Sequence, residues 1–322
     1  MRVFKKITVC MLLCLFATST YAESWPSKPI KLLVGFSAGG TTDIIARKLA
    51  SGLSELFGQS VVVENKTGAS GMIASAELAR ARPDGYTIGM VISSNVSVPA
   101  IGRAVPFDPI DSFEPLALVG KVPLVLTVNK ELPVTTLSDF VNLANERPGE
   151  MFFSSPGIGL AHHFAGELLN LQAHINMTHV PYAGAAPALG DVMSNQVQAT
   201  FAAAPTVIAM GESRAKPIAI SGKHRVPLLP GIATISESGY PDYELTEWFG
   251  VLAPAHTPIA IVEQLNVGIN KLLNTPEWRE WLDQNAVERP AKNSSDDFRA
   301  FIKSESEKFV KIAKTAQIKD GN

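Results

Sequence analysis

Residues 30–92 constrain the fold most, because apolar strand-like runs alternate there with amphipathic helical segments. The run IKLLVGF, which ends at Phe36, is apolar apart from Lys31 and is typical of a buried parallel strand. A Ser-Ala-Gly-Gly turn leads into a helix from about Thr42, which Gly58 ends. Further strands are predicted at residues 61–63 and 86–92, with a helix at 73–82 between them. Strands joined by helices predict a parallel, doubly wound α/β sheet.

The middle of the chain repeats this alternation. The predicted strands are residues 124–128, 151–153, 178–180, 197–201 and 217–220, and the predicted helices are 137–146, 161–171 and 187–194. About 300 mature residues exceed the usual size of one hydrophobic core. The middle segment is therefore predicted to form a second α/β lobe.

The C-terminal part is predicted to be helical. Thr257 and Thr275 each precede a proline, which places a capping hydroxyl before a helix, and Ser294 with Asp297 resembles a capping box. The apolar face of the last helix is expected to pack back on the first lobe. The predicted division is a signal peptide at 1–22, the first lobe at 23–122 and 249–322, and the second lobe at 123–248. The chain would cross between lobes near 119–124 and 247–252.

The first 22 residues have the layout of a signal peptide. Basic residues at Arg2, Lys5 and Lys6 precede an apolar stretch too short to span a bilayer, and Ala22 ends a small-residue cleavage site. Both cysteines of the chain, Cys10 and Cys14, lie in this leader. The mature protein is therefore predicted to lack disulfides, thiolate metal sites and cysteine nucleophiles, and to reside in the periplasm.

The charge balance disfavours nucleic-acid binding. The chain holds 28 basic and 30 acidic residues, and without the three basic residues of the leader the balance is 25 to 30, a net charge of −5. There is no basic run of the kind that follows a phosphate backbone. We therefore expect no nucleic-acid partner.

Two glycine-containing turns carry the candidate chemistry. The first lies between a strand and a helix at residues 36–43, and the second, Ser-Ser-Pro-Gly-Ile-Gly, lies at 154–159. Such turns leave amide N–H groups and the positive end of a helix dipole open to an anion. Phosphate is one candidate and a carboxylate is another, although neither phosphate-loop motif is present. Asp43 has a second interpretation, since an acid in the first helical turn stabilises the helix dipole.

The histidines and serines do not indicate an enzyme or a metal site. His162 and His163 are adjacent and diverge on a helix, and no HExxH spacing occurs. His163 is open to two interpretations, a neutral ligand donor or a helix-packing residue. The string Gly35-Phe36-Ser37-Ala38-Gly39 has the spacing of a GxSxG nucleophile elbow, but the sequence offers no acid, base and nucleophile that converge. We expect no catalysis, no metal and no cofactor.

A series of short strings gives the chain a family resemblance. They are Trp25-Pro26-Ser27-Lys28-Pro29-Ile30, the turn at 36–43, Val63-Glu64-Asn65-Lys66-Thr67-Gly68-Ala69, Pro83-Asp84-Gly85-Tyr86-Thr87, Ser155-Pro156-Gly157-Ile158-Gly159, His163, Val180-Pro181-Tyr182-Ala183-Gly184, Trp248-Phe249-Gly250 and Ala253-Pro254. In this order and spacing they resemble the extracytoplasmic substrate-binding receptors of tripartite tricarboxylate transporters, the Bug receptors. The resemblance covers nearly the whole mature chain.

The resemblance implies a two-lobed α/β protein with the type II periplasmic-binding fold and a ligand cleft between its lobes. It implies a monomer that binds a small carboxylate, often through ordered water, and works with integral membrane transporter subunits. A periplasmic sensor that presents the carboxylate to a membrane kinase is the alternative. The candidate ligand-binding residues are Phe36, Ser37, Ala38, Gly39, Gly40, Thr41, Asp43, Ser93, Asn95, Ser155, Gly157, Gly159, His163, Tyr182 and Ala203.

Three positions of the second lobe depart from the family pattern. Leu160 stands where the family commonly has Ser or Thr, and Ala183 where it often has Lys. An acid usual after the late strand is replaced by alanines at 202–204. Because polar capacity is lost on all three counts, we predict a monocarboxylate, or a dicarboxylate with an apolar body, rather than citrate. The alternative is that Leu160 faces the core and that water replaces the missing side chains.

Overall fold

The structure is a computed structural model that describes residues 25–211 and 214–321, so the predicted signal peptide lies outside the described residues. Its first part contains three strands, with β1 paired in parallel with both β2 and β3. In chain order the elements are β1 (Ile30–Val34), α1 (Thr41–Phe57), β2 (Val61–Asn65), α2 (Met72–Ala79), β3 (Thr87–Ile92) and α3 (Ser94–Ala100). The parallel sheet confirms the predicted α/β class. Helix α3 was not predicted.

The middle of the chain forms the second α/β unit. The elements are β4 (Phe113–Asn129), α4 (Leu137–Glu146), β5 (Met151–Ser155), α5 (Ala161–Ala173), β6 (Met177–Pro181), α6 (Ala185–Met193), β7 (Ala199–Ala203), α7 (Ala204–Met210) and β8 (Ala215–Ile220). Strand β5 pairs in parallel with β6 and β7. This parallel core places the starts of α5 and α6 at the carboxyl ends of β5 and β6, where such sheets bind ligands.

Two long strands connect the lobes. The first part of β4 pairs antiparallel with β9 (Thr246–Pro254), and from Leu124 onwards β4 pairs with β7 and β8. Strand β9 also pairs with β3, which gives the order β2-β1-β3-β9-β4-β7-β5-β6. The predicted crossings at 119–124 and 247–252 fall on these two strands. That they act as a hinge stays a prediction.

Three helices end the chain, namely α8 (Ile259–Leu273), α9 (Pro276–Gln284) and α10 (Ser295–Thr315). Two predicted caps are confirmed, because Thr275 Oγ1 accepts from the Trp278 N–H and Ser294 forms a capping box with Asp297. The cap predicted at Thr257 is wrong. Its hydroxyl donates to the Pro254 carbonyl at 2.8 Å, and α8 begins one residue after Pro258 without a side-chain cap.

Helix α10 packs against α3 and β4 and also touches α5. That it belongs to the first lobe stays a prediction. The ring of Phe309 meets Phe164 edge-on with centroids 4.8 Å apart. Gly250 on β9 allows Phe298 to approach closely, since a Cβ there would lie 2.1 Å from the ring. Each buried ring contributes about 2–3 kcal/mol. Among the described residues, no helix has the length and hydrophobicity needed to cross a bilayer.

Candidate functional site

A cleft of about 590 Å³ separates the two lobes. Its walls come from the first turn, the segment 67–71, the second turn, the starts of α5 and α6, the end of β7 and the start of β9. The lining residues are 35–37, 40–42, 67–71, 92, 156–157, 160, 162, 182–185, 188–189, 200–203, 206, 247 and 249. The cleft therefore uses the carboxyl ends of strands from both lobes.

Asp43 holds the first turn in shape. Its side chain, 2% exposed, accepts hydrogen bonds from the Gly39 N–H at 2.9 Å, Arg47 Nε at 2.8 Å and Asn65 Nδ2 at 2.9 Å. Burial alone would raise the pKa of Asp43, but these bonds outweigh it and lower the pKa to about 2. Gly39 adopts φ +82°, which favours glycine. Asp43 thus acts inside the turn and does not line the cleft.

The amides open to a ligand are those of the helix start. The Gly39 N–H is bonded to Asp43, and the Gly40 N–H donates to the Ser37 carbonyl at 3.3 Å. These two amides are therefore engaged within the turn, contrary to the expectation of an open amide at each position. Helix α1 has no side-chain cap at Gly40, and Thr41 lines the cleft. The first turn of an α-helix leaves its amides without an intrahelical partner, so these are the amides of the first turn region that remain available to a ligand.

Ser155 organises the second turn. Its hydroxyl lies 2.6 Å from His179 Nε2 and 3.1 Å from the Gly157 carbonyl, and it accepts from the Gly157 N–H at 3.2 Å. Ser155 is fully buried, whereas Gly157 lines the cleft. Helix α5 begins after Leu160, again without a side-chain cap. The second turn therefore also presents a helix N-terminus.

The histidine that lines the cleft is His162 and not the predicted residue, His163. His163 is buried, stacks on His179 with ring centroids 3.7 Å apart, and accepts from the Gly159 N–H through Nδ1 at 3.3 Å. This favours the helix-packing interpretation of His163. His162, half-buried, lines the cleft instead. Burial lowers the pKa of His162 to about 4, so the imidazole is neutral at pH 7.

Glu247 lies at the inner end of the cleft, at the start of β9, and is 4% exposed. Its Oε1 accepts from the backbone N–H groups of Ser93 at 2.9 Å and Trp248 at 3.2 Å. Burial raises the pKa of Glu247 to about 7, against the effect of these bonds, and the charge of Glu305 raises it further. Glu247 was not among the predicted site residues. Its one indication in the sequence is that it directly precedes Trp248-Phe249-Gly250, a string that contributes to the family resemblance.

The predicted residues divide into two groups. Seven of them line the cleft: Phe36, Ser37, Gly40, Thr41, Gly157, Tyr182 and Ala203. The others lie outside its lining: Ala38, Gly39, Asp43, Ser93, Asn95, Ser155, Gly159 and His163. Ligand contact stays a prediction for both groups. In the second group, Ser93 and Asn95 follow β3, and the other residues lie in or beside the two turns. The segment 67–71 is a wall that the sequence analysis quoted only as part of the resemblance.

The second-lobe wall is largely apolar. Leu160, Ala183, Ala202 and Ala203 all line the cleft, so Leu160 faces the cleft and not the core alone. The Tyr182 hydroxyl donates to Asp191 at 2.5 Å, and burial with this bond raises the pKa of Tyr182 to about 12. The phenol is therefore engaged with its own lobe.

The charge of the cleft lining comes from helix ends and not from basic side chains. Among the described residues that line it there is no lysine or arginine. Three helices of nine or more residues begin at its wall without side-chain caps, namely α1, α5 and α6. Their dipoles and free amides favour an anionic group. Within residues 25–211 and 214–321, no group of three His, Cys, Asp or Glu side chains could hold a metal ion.

A two-lobed α/β fold with an interlobe cleft at strand carboxyl ends defines a type II solute-binding protein. The family described as tripartite tricarboxylate transporter family receptor matches residues 45–318. Protein BugT of Bordetella pertussis is 33% identical over 306 residues, which cover 92% of each chain. The chain belongs to this receptor family. Its members and the structural neighbours are solute-binding proteins and not enzymes.

Two solved structures show similar folds. Rpa4515 of R. palustris, solved with adipate, has a TM-score of 0.85 and 35% identity, covering 92% of this chain and 99% of its own. MatC of Rhodopseudomonas palustris, with bound malate, has a TM-score of 0.81 and 26% identity, covering 89% and 99%. These similarities confirm the predicted two-lobed architecture.

Proposed function

We propose that this protein is a periplasmic receptor that binds a small organic carboxylate between its lobes and delivers it to a tripartite tricarboxylate-type membrane transporter. The observation that carries the proposal is the set of three uncapped helix N-termini at a cleft without lysine or arginine. Backbone amides and helix dipoles bind a carboxylate, whereas Glu247 is the single Asp or Glu among the described residues that line the cleft.

The preferred ligand is an aliphatic dicarboxylate with an apolar body, similar to adipate. One carboxylate binds at the start of α1, near Ser37 and Thr41. The methylene chain packs on Leu160 and Ala203, and the second carboxylate meets the start of α5. The adipate in the structure of Rpa4515 supports this class of ligand, and the malate in MatC supports a shorter relative.

A ligand panel tests the proposal. Thermal shift and titration calorimetry with adipate, succinate, malate, benzoate, nicotinate and citrate are expected to show stabilisation by one or more acids. At 100 times Kd, bound ligand stabilises the folded state by about 2.7 kcal/mol. Arginine and putrescine serve as basic controls and are expected to have no effect. A panel in which no acid binds, or in which a basic compound binds most tightly, would contradict the proposal.

The transport role is tested in cells. Deletion of the gene is expected to abolish uptake of the acid identified by calorimetry, and a plasmid copy is expected to restore it. A copy lacking residues 1–22 serves as the control for export and is expected to fail. Normal uptake in the deletion strain, combined with loss of a transcriptional response to the acid, would favour sensing over transport.

A further inference from the structure

Among the described residues that line the cleft, Glu247 is the one with a carboxyl side chain. Its side chain is 4% exposed, and Oε1 carries both backbone hydrogen bonds, from Ser93 and Trp248. In the described part of the chain, Oε2 is buried and has no hydrogen-bond partner by geometry, although the Ser93 side chain lies close enough to lower the pKa of this carboxyl. A carboxyl oxygen in this position gains a donor role when it is protonated.

No lysine or arginine among the described residues acts on the pKa of Glu247. From α10, the acid Glu305 faces it and carries its own ion pair to Lys308. On β4, Lys121 pairs with Glu288 at 3.4 Å, and Glu114 pairs with Arg299. These charges are therefore already partnered by residues other than Glu247.

The remaining neighbouring elements hold no free cation either. Among the described residues, Glu77 on α2 lies 3.6 Å from Lys66, and α5 carries His162, His163 and Glu167. Burial lowers the pKa of both histidines, which keeps them neutral at pH 7. The titratable groups named on these elements are thus neutral, acidic or already paired.

An ionised Glu247 and an anionic ligand repel each other in this cleft. Both would lie in a poorly solvated space whose lining has no lysine or arginine among the described residues. The receptor can avoid the repulsion by binding a proton with the ligand. Burial has already raised the pKa of Glu247 to about 7, so protonation requires little further shift near neutral pH.

We propose that the receptor takes up one proton together with its carboxylate ligand, and that Glu247 Oε2 holds this proton. The inference rests on the proposed function. The proton comes from solvent, forms an O–H bond on Oε2 when the anion enters, and returns to solvent when the anion leaves. Glu247 would thereby set the affinity of the receptor for anions. His162 is the competing proton carrier, but its pKa of about 4 in the free protein would have to rise much further.

The test is titration calorimetry with adipate between pH 6.5 and 9, where an aliphatic acid is fully ionised. The apparent Kd is expected to be nearly constant below pH 7 and to rise about tenfold per pH unit above pH 8, since only the protonated fraction binds. Titrations in two buffers with different ionisation enthalpies are expected to show uptake that approaches one proton per ligand at high pH. This proton count needs no variant.

Two variants assign the proton. Glu247→Gln is neutral and of the same shape, and it is expected to bind adipate with no proton uptake and a flat pH profile. His162→Gln removes the competing carrier and is expected to keep the tenfold slope. Thermal shift without ligand verifies that both variants fold.

The outcomes separate the two hypotheses. A flat pH profile in the wild type, or a slope that persists in Glu247→Gln, would overturn the inference while leaving carboxylate binding intact. A slope lost only in His162→Gln would overturn the assignment to Glu247. Failure of every carboxylate to bind at any pH would instead overturn the proposed function and this inference with it.

Discussion

The hydroxyl group of Ser97 donates a hydrogen bond to the carbonyl oxygen of Gly159 at 2.6 Å, and this bond joins α3 to the turn before α5. Both residues are buried. A Cβ at Gly159 would lie 2.9 Å from Ile101 and 3.3 Å from Val98, so the turn packs tightly on α3. The second glycine turn therefore contributes a contact between the lobes as well as a wall of the cleft.

Loss of the Ser97 hydroxyl is expected to weaken ligand binding. Ser97→Ala leaves a buried carbonyl unsatisfied and removes a bond between the lobes, which costs about 1–3 kcal/mol. We expect a fivefold or greater rise in Kd for adipate by calorimetry. Ser54→Ala is the matched control, because Ser54 bonds only to Ala50 and Val61 within the first lobe. Equal affinity of the Ser97 variant and the wild type would contradict the prediction.

Ligand is expected to shift an equilibrium between open and closed lobes. The bend is expected in β4 and β9. Strand β4 pairs with β9 in its first part and with β7 in its second part, so it runs through both lobes. Small-angle scattering is expected to give a smaller radius of gyration at saturating ligand. An unchanged radius would count against closure but not against binding.

Gly39 and Gly40 are expected to respond differently to substitution. Gly39 has φ +82° and open space around it, so Gly39→Ala is expected to lower stability by about 1–2 kcal/mol through backbone strain. Gly40 has φ −76° and lines the cleft. Gly40→Val is therefore expected to abolish binding with only a small change in the Tm of the free protein. Retained affinity in Gly40→Val would argue against a ligand at this turn.

Acid is expected to destabilise the first turn through Asp43. Its pKa is about 2 in the folded protein, below the ordinary value of 3.8, so its contribution is present above pH 4 and is lost as the pH falls to 2. The shift corresponds to roughly 2–3 kcal/mol. Urea unfolding is expected to show that the free energy of unfolding falls less between pH 6 and pH 2.5 for Asp43→Asn than for the wild type. Equal losses would contradict this assignment.

The apolar second-lobe wall is expected to disfavour citrate. A third carboxylate, beyond the two proposed at the starts of α1 and α5, would lie against the apolar side chains of Leu160 and Ala183 and lose its water without adequate partners, which costs several kcal/mol. Adipate is expected to bind more tightly than citrate. In Ala183→Lys, the ratio of the citrate Kd to the adipate Kd is expected to fall at least tenfold. Ala186→Lys, exposed and outside the cleft lining, is the charge-matched control. Tightest binding of citrate by the wild type would show that the departures from the family pattern do not determine the ligand.

The local structure followed from local sequence. The strand ending at Val34, the glycine turn and helix α1 could be predicted because apolar periodicity and glycine act over a few residues. The same reason explains the caps at Thr275 and Ser294. Strand β4 was predicted only from residue 124, although it begins at Phe113. Pro115 and Gly120 are unfavourable in strands, so residues 113–123 have no clear strand pattern. They form a strand because they pair with β9, which is distant in the sequence.

The sequence by itself determined the α/β class, the two glycine turns between strands and helices, and the apolar residues of the second-lobe wall. Only the tertiary structure decided which side chains meet in the cleft. His162 and His163 differ by about 100° around α5, so packing of that helix determines which ring is exposed and which is buried. Glu247 reaches the cleft because β9 lies between β3 and β4. Contacts of this kind join residues distant in sequence, and no local pattern encodes them.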